Sequence, residues 1–178
     1  SLGEVIIGGV CSWLYGMLMF KIMTVFIAGL IVGRTPEFLG KKIGIFEMKY
    51  VMMALLISPF CVLIFTALGC FLPSVVTDLK VYGPHGFSRL LYAFISAANN
   101  NGSSFSGLNA NTTYMNITTG ITMFLGRFVT IVAVLGVAGS IALKKTVPVT
   151  SGTFPTTGVI FVVMLIICIL IVGGLNFF

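Results

Sequence analysis

Charged residues are scarce in this sequence. Asp, Glu, Lys and Arg together make up 8% of its 178 residues, against about 25% in an ordinary soluble domain. A water-facing surface cannot be built from so few charges, and the composition equally excludes a disordered chain, a coiled coil and a small disulfide-rich secreted module. Apolar residues are abundant instead, with 58% hydrophobic residues and a mean hydropathy of +1.15. The chain is therefore predicted to be an integral membrane protein, or a piece of one.

Residues that carry enzyme chemistry are equally few. The single histidine, His85, lies between Pro84 and Gly86 in a predicted external turn, and it has no partners with which to bind a metal ion. The four cysteines lack CxxC spacing and are interpreted as small buried hydrophobic residues; they are Cys11, Cys61, Cys70 and Cys168. No phosphate-binding loop, GxSxG motif or carboxylate pair is present. The chain is predicted not to be an enzyme, so any energy coupling must come from another chain.

The basic residues lie in short segments and do not form a stripe. Lys and Arg total ten against four acidic residues, yet most of them fall between apolar runs. This distribution lacks the electrostatic footprint of a nucleic-acid-binding protein. It fits cytoplasmic loops under the positive-inside rule, which predicts that 34–49 and 144–157 face the cytoplasm. Segment 73–86 and both ends of the chain are then predicted to lie outside.

Four apolar runs are long enough to cross a bilayer, whose hydrocarbon core of about 30 Å requires about 20 helical residues. They are 5–33, 50–72, 117–143 and 158–178. The first carries Lys21 and opens with GGVCSWLYG (8–16), which has more glycine than a helix readily tolerates. The predicted fold is all-α, with four spanning helices.

One further apolar segment, 87–98, is too short to span. As a helix it would reach only about 18 Å, and a polar stretch and then the next spanning helix follow it directly. This order is typical of a re-entrant loop, which is tolerated at membrane depth only where protein or a water-filled cavity surrounds it. The alternative is a short external amphipathic helix followed by an ordinary loop.

The polar stretch after this segment has the composition of a cation filter. Its residues are Asn99, Asn100, Asn101, Gly102, Ser103 and Ser104. Backbone carbonyls can replace the water around a dehydrated K⁺, and Gly102 can adopt backbone angles that turn successive carbonyls toward one axis. The same Asn/Gly/Ser cluster is also what an ordinary turn contains.

Arg127 interrupts the apolar run that leaves this loop. An arginine at the bilayer centre costs roughly 2.5–3.5 kcal/mol on insertion scales, so it should face protein or a wet cavity. Two roles stay open for it. It could tune ion occupancy below the filter, or it could tie two helices together through carbonyl or Asn side-chain oxygens.

Several motifs make the chain resemble a known family. The motifs are GPHGFSRLLYAFISAANNNGSSFSGLNAN (83–111), GRTPEFLGKK (33–42), GRF (126–128), VPVTSGTFPT (147–156) and the last helix. In these segments, and over essentially the whole chain, the sequence closely resembles the potassium-transporting A subunit of the bacterial Kdp P-type ATPase.

The resemblance implies a pseudo-fourfold K⁺ channel-like fold, built from four helix–pore-loop–helix repeats. This chain would be the C-terminal portion: 1–33 as the second helix of repeat three with an intramembrane gate loop, 50–143 as the fourth repeat with re-entrant loop 87–107, and 158–178 as a final helix. The implied gate residues are Gly8, Gly9, Cys11, Ser12, Trp13 and Gly16. Asn99 to Ser104 would form the fourth quarter of the selectivity filter, and Arg127 would match a basic residue of the last pore helix.

The resemblance also implies high-affinity K⁺ uptake across the bacterial inner membrane by a multi-pass protein. ATP hydrolysis would take place on the catalytic B subunit, and the C and F subunits would complete the complex. Positions that depart from the family pattern are Cys11, Trp13, Lys21, Arg89 and Thr157. Two alternatives remain: a channel-like component of the Trk or Ktr type with a cytosolic nucleotide-binding regulator, and a non-conducting, degenerate fragment.

Overall fold

The structure is a computed structural model that describes residues 13–78, 82–103, 106–148 and 153–175. These residues are mostly helical. The helices are α1 (Trp13–Val32), α2 (Ile45–Phe71), α3 (Pro73–Asp78), α4 (Gly83–Ala98), α5 (Thr113–Phe124), α6 (Thr130–Leu143) and α7 (Val159–Gly174). A π-helical turn, Leu125–Val129, joins α5 to α6 without a break. Strands β1 (Glu37–Phe38) and β2 (Lys41–Lys42) form a short antiparallel hairpin.

Within the described residues, three segments are long and apolar enough to cross a membrane. They are Leu14–Val32, Ile45–Phe71 and the continuous segment Thr113–Leu143. The fourth predicted span is represented by α7, which has 16 residues in the described part of the chain and would reach about 24 Å at 1.5 Å per residue. The prediction of a largely helical chain with long apolar helices is confirmed.

The boundaries of α2 differ from those predicted. The helix begins at Ile45, so Glu47 and Lys49 lie in its first turns and not in the preceding loop. The Glu47 carboxylate accepts a hydrogen bond from the Gly44 backbone N–H, with 2.7 Å between N and Oε2. Such a bond satisfies one of the backbone donors that a helix leaves free at its start, and it extends the helix beyond the uncharged run.

The predicted external segment 73–86 is also more helical than expected. It contains α3 and the first turn of α4, so His85 is helical and does not lie in a turn. Proline in the first helical turn explains both starts, because its fixed φ suits that position and its missing N–H has no partner there in any case. Pro73 opens α3, and Pro84 follows Gly83 at the start of α4.

Helix α2 is the centre of the packing. Its first half shares one buried cluster with α1, α6 and α7; the buried members from these helices are Met19, Phe20, Ile22, Met23, Met48, Val51, Ala54, Ala133, Val137 and Cys168. Its second half shares another with α3, α4 and α5; the buried members are Val62, Val75, Leu90, Leu91, Ala93, Phe94, Ile95, Ala98 and Met115. The two clusters occupy the two ends of α2.

The two loops predicted to be cytoplasmic contact each other. Thr35 and Thr153 form an isolated parallel bridge, and the Val147 N–H donates to the Gly40 carbonyl with 2.7 Å between N and O. Leu39 and Gly40, at the turn of the hairpin, both have positive φ, as a two-residue type I′ turn requires. The two loops therefore lie at the same end of the helices, which is the arrangement expected of loops on one side of a membrane.

Candidate functional site: a helix that ends part-way along its neighbours

Helix α4 starts beside the end of α2 and the beginning of α5. A Cβ atom on Gly69, near the end of α2, would lie 2.7 Å from Leu90 Cδ2 and 3.1 Å from the Tyr114 hydroxyl. Phe94, one turn later in α4, packs between Phe65 at a ring-centroid distance of 5.9 Å and Tyr114 at 6.4 Å. The first half of α4 therefore lies at the level where α2 ends and α5 begins.

The other end of α4 lies against the middle of the long segment Thr113–Leu143. A Cβ atom on Gly126 would come well inside 3.0 Å of the Ala98 carbonyl oxygen and would lie 3.1 Å from its carbonyl carbon. Gly126 is about 20 Å along this segment from its start, at 1.5 Å per residue. Helix α4 thus runs part-way along its neighbours and stops, and the chain returns to Thr113 at the end where α4 began.

The polar segment that follows α4 is fixed by its own side chains. The Asn101 carboxamide oxygen accepts hydrogen bonds from Ser96 Oγ and from the Ser103 N–H, each at 2.7 Å. Tyr92 joins the same network through a 2.7 Å hydrogen bond between its hydroxyl and Ser103 Oγ. The Asn99 side-chain amide donates to the Ile95 carbonyl at 2.8 Å. Residues of α4 therefore hold the segment just past the helix end.

Two residues of this segment, separated by one residue, have left-handed backbone angles. Asn100 has φ +58° and Gly102 has φ +76°, a range that glycine reaches without strain and asparagine more readily than most residues. Gly102 is exposed, and a Cβ atom built on it would have no atom within 4 Å. Ser104 lies outside the described residues. Among the described residues, Gly102 therefore faces open space.

Arg127 lies at the level where α4 ends. It is half-buried in the π-helical turn, directly after Gly126. In the part of the chain that the structure describes, its guanidinium makes no hydrogen bond or ion pair. The sequence predicted a charge within the span, but nothing in the sequence indicated the π-helical turn that carries it.

Comparisons with known proteins identify the family of this chain. The family described as "Potassium-transporting ATPase A subunit" matches residues 1–178. The chain belongs to this family. It is also 58% identical over 178 residues to the "Potassium-transporting ATPase potassium-binding subunit" of Rhizobium rhizogenes (strain K84) and, at the same identity, to that of Mesorhizobium japonicum. The relative from Solibacter usitatus is 54% identical over 178 residues.

The chain covers only part of these relatives. All of it is matched, but it spans 31% of the length of each of the three. Together with the three long apolar segments, membership of the Kdp A-subunit family makes the chain a multi-pass membrane protein.

Most of the gate residues predicted from the family resemblance lie outside the described part of the chain. These are Gly8, Gly9, Cys11 and Ser12. Trp13 begins α1, and Gly16 lies within it, so the unwound backbone expected for 8–16 does not extend over 13–16. Lys21 is half-buried in the same helix.

At the other end of the site, the Arg89 guanidinium lies beside Gly107, where a Cβ would be 3.2 Å from Nη1.

Proposed function

We propose that this chain contributes one quarter of the K⁺ selectivity filter of an ATP-driven potassium uptake complex. The observation that carries the proposal is the course of α4, which ends beside Gly126 and is followed by a polar segment with two left-handed residues. The relatives are named as potassium-binding subunits. K⁺ would be held by main-chain carbonyls around Gly102, with Asn99, Asn100, Asn101, Ser103 and Ser104 as supporting residues.

A dehydrated K⁺ needs oxygen atoms on all sides. Segment 99–104 is a single short stretch of chain and can offer oxygen atoms from one side only. In our proposal the other three quarters come from the rest of the A subunit, of which this chain covers 31% in its relatives. Residues 50–143 then form the fourth repeat, with 87–107 as its pore loop. Residues 1–33 form the second helix of repeat three, and 158–178 form the final helix.

The orientation and the partners follow from the same proposal. Loops 34–49 and 144–157 would face the cytoplasm of a bacterium, with the helices in its inner membrane; the contact between the loops supports a shared side. ATP would be hydrolysed by the catalytic B subunit, in a complex completed by the C and F subunits. The family match favours this arrangement over a Trk- or Ktr-type regulator, and co-purification of a P-type ATPase with the complete A subunit would test it. The gate around Gly8 to Gly16 stays a prediction.

The filter assignment is tested by Gly102→Asp in a complete A subunit that contains these residues, assembled with its partners. We expect K⁺ over Na⁺ discrimination, measured by uptake at limiting K⁺, to fall at least about tenfold, equivalent to about 1.4 kcal/mol. The physical reason is that the carboxylate alters both the field and the space at the ion path, while the side chain strains a left-handed residue by about 1–2 kcal/mol.

Gly33→Asp is the matched control. Gly33 has φ +69°, is exposed and has no atom within 4 Å of a built Cβ, as at Gly102. It suffers the same backbone strain and gains the same charge, but it follows α1, in the loop that contains the hairpin. Equal discrimination in the two variants, or unchanged discrimination in Gly102→Asp, would remove Gly102 from the filter.

A further inference from the structure

We propose that Gly126 is a positioning residue, which sets the depth of the filter segment by letting the long helix close against the last carbonyl of α4. The inference rests on the proposed function, because it assigns a role in K⁺ selection to a contact outside segment 99–104. In the sequence, Gly126 had no role beyond its place in the GRF motif. The evidence is the packing of the α5–α6 segment on residues 98–100.

The first observation is the closeness of this packing. A Cβ on Gly126 would come within 3.0 Å of the Ala98 carbonyl oxygen, 3.1 Å of its carbonyl carbon and 3.3 Å of its Cα. All three atoms are backbone, so no side-chain rotation can make room for the extra methyl group. Any larger residue must move the end of α4 or the long helix itself.

The second observation is a neighbouring contact on the same helix. The Asn100 side-chain amide lies 3.4 Å from the Met123 carbonyl oxygen and 3.4 Å from that of Ala98. Asn100 thereby links the left-handed part of the filter segment to the long helix, three residues before Gly126. Ala98, at the end of α4, and Asn100, in the filter segment, are thus both set against one stretch of helix.

The third observation is the π-helical turn itself. Gly126 and Arg127 both lie in the turn Leu125–Val129, and the Gly126 carbonyl accepts a hydrogen bond from Thr130 Oγ1 at 2.8 Å. π-Helical turns are rare and occur frequently at functional sites. Here the turn coincides with the position at which the helix meets the end of α4. The irregular backbone and the close contact with Ala98 therefore occur at the same position of the long helix.

The consequence concerns K⁺ selection more than stability. Ala98 is followed directly by Asn99, so a displaced Ala98 carbonyl shifts the first carbonyls of the filter segment. Binding that depends on oriented oxygen atoms is sensitive to small shifts, as reacting groups are when a displacement of about 1 Å costs on the order of 100-fold. A methyl group on Gly126 should therefore reduce K⁺ over Na⁺ discrimination even when the complex assembles.

The experiment is Gly126→Ala in the complete A subunit with its partners. Gly120→Ala and Gly139→Ala are the controls, because they lie in the same apolar segment and have no atom within 4 Å of a built Cβ. The readouts are the KM for K⁺ in K⁺-stimulated ATP hydrolysis, the ratio of K⁺ to Na⁺ stimulation, and the yield of assembled complex. We expect about a tenfold loss of that ratio in Gly126→Ala, or about 1.4 kcal/mol, and no loss in the controls.

Asn100→Gly is the second variant, since glycine keeps the left-handed backbone and removes the side-chain link to Met123 and Ala98. If Gly126→Ala fails to assemble, a reduced K⁺ to Na⁺ ratio in Asn100→Gly supports the positioning role, and an unchanged ratio overturns it. An unchanged ratio in an assembled Gly126→Ala complex also overturns it. Absence of K⁺ stimulation in the unsubstituted complex would instead refute the proposed function.

Discussion

The replacement Lys144→Met should destabilise the loop end of the helices. Lys144 Nζ lies 2.7 Å from Glu47 Oε2, and the side chains are 31% and 2% exposed, respectively. The same carboxylate accepts hydrogen bonds from the Gly44 N–H and from Ser140 Oγ. Lys144 Nζ also donates to the Lys42 carbonyl at 2.8 Å. One ammonium group thus joins α2, the hairpin and the end of α6.

The magnitude follows from the burial of the carboxylate. Removing one partner of a buried ion pair costs roughly 3–5 kcal/mol, because the other charge is left without compensation. We expect about 3 kcal/mol for Lys144→Met, at the low end, since Lys144 is partly exposed and two hydrogen bonds to Glu47 remain. Methionine retains the apolar stem of the side chain, so the loss comes from the charge and its hydrogen bonds.

The assay is thermal unfolding of the purified, detergent-solubilised complex, with Lys145→Met as the matched control. Lys145 is exposed and adjacent in sequence, so its replacement should change the free energy of unfolding by no more than about 0.5 kcal/mol. The reasoning is refuted if the two variants unfold at the same temperature. A marked loss in Lys144→Met that Glu47→Gln suppresses in the double variant would identify the uncompensated carboxylate as the cause.

Two further substitutions test the filter region. If the Arg127 charge tunes ion occupancy, its removal in Arg127→Gln takes away repulsion on a nearby cation and should lower the KM for K⁺ about tenfold, whereas Arg127→Lys should keep the unsubstituted KM; a lower unfolding temperature in both variants would instead indicate a tie between helices. Ser96→Ala removes the hydrogen bond to Asn101, worth about 1 kcal/mol, and should raise the KM for K⁺ about fivefold. Its control is Ser88→Ala, in the same helix, which loses only an exposed 3.0 Å bond to the Pro84 carbonyl; equal KM values would contradict the role of Ser96.

The long helices could be predicted from composition because length and apolarity fix them almost alone. Their ends could not. Charge placed Glu47 in a loop, whereas the structure places it in the first turn of α2, where it caps the helix and pairs with Lys144. The partner of Glu47 lies 97 positions away in the sequence, and no local pattern in the sequence indicates such a pairing.

The proposed filter segment could be predicted from the sequence, whereas the residues that support it could not. The short apolar segment and its Asn/Gly/Ser stretch are local features, so the end of α4 at Ala98 could be predicted from the sequence. Gly126 acts through a backbone contact with Ala98, and glycine in a helix has many possible causes. Ser96 and Tyr92 hold the segment from α4, but in the sequence they stand within an apolar run and nothing there indicates this role.

The continuous segment Thr113–Leu143 connects the two regions that the predictions test, the proposed filter beside Ala98 and the loop end beside Glu47. Near its start, the Tyr114 hydroxyl donates to the Phe65 carbonyl; in its middle, Gly126 meets Ala98; near its end, Ser140 reaches Glu47. Gly126 and Ser140 are about 21 Å apart along the helix, too far for a change at one contact to act on the other directly. Lys144→Met should therefore lower stability and leave K⁺ selectivity unchanged, and Gly126→Ala should lower selectivity in complexes that still assemble. If both variants changed both properties, the segment would have to move as one body between the loops and the filter.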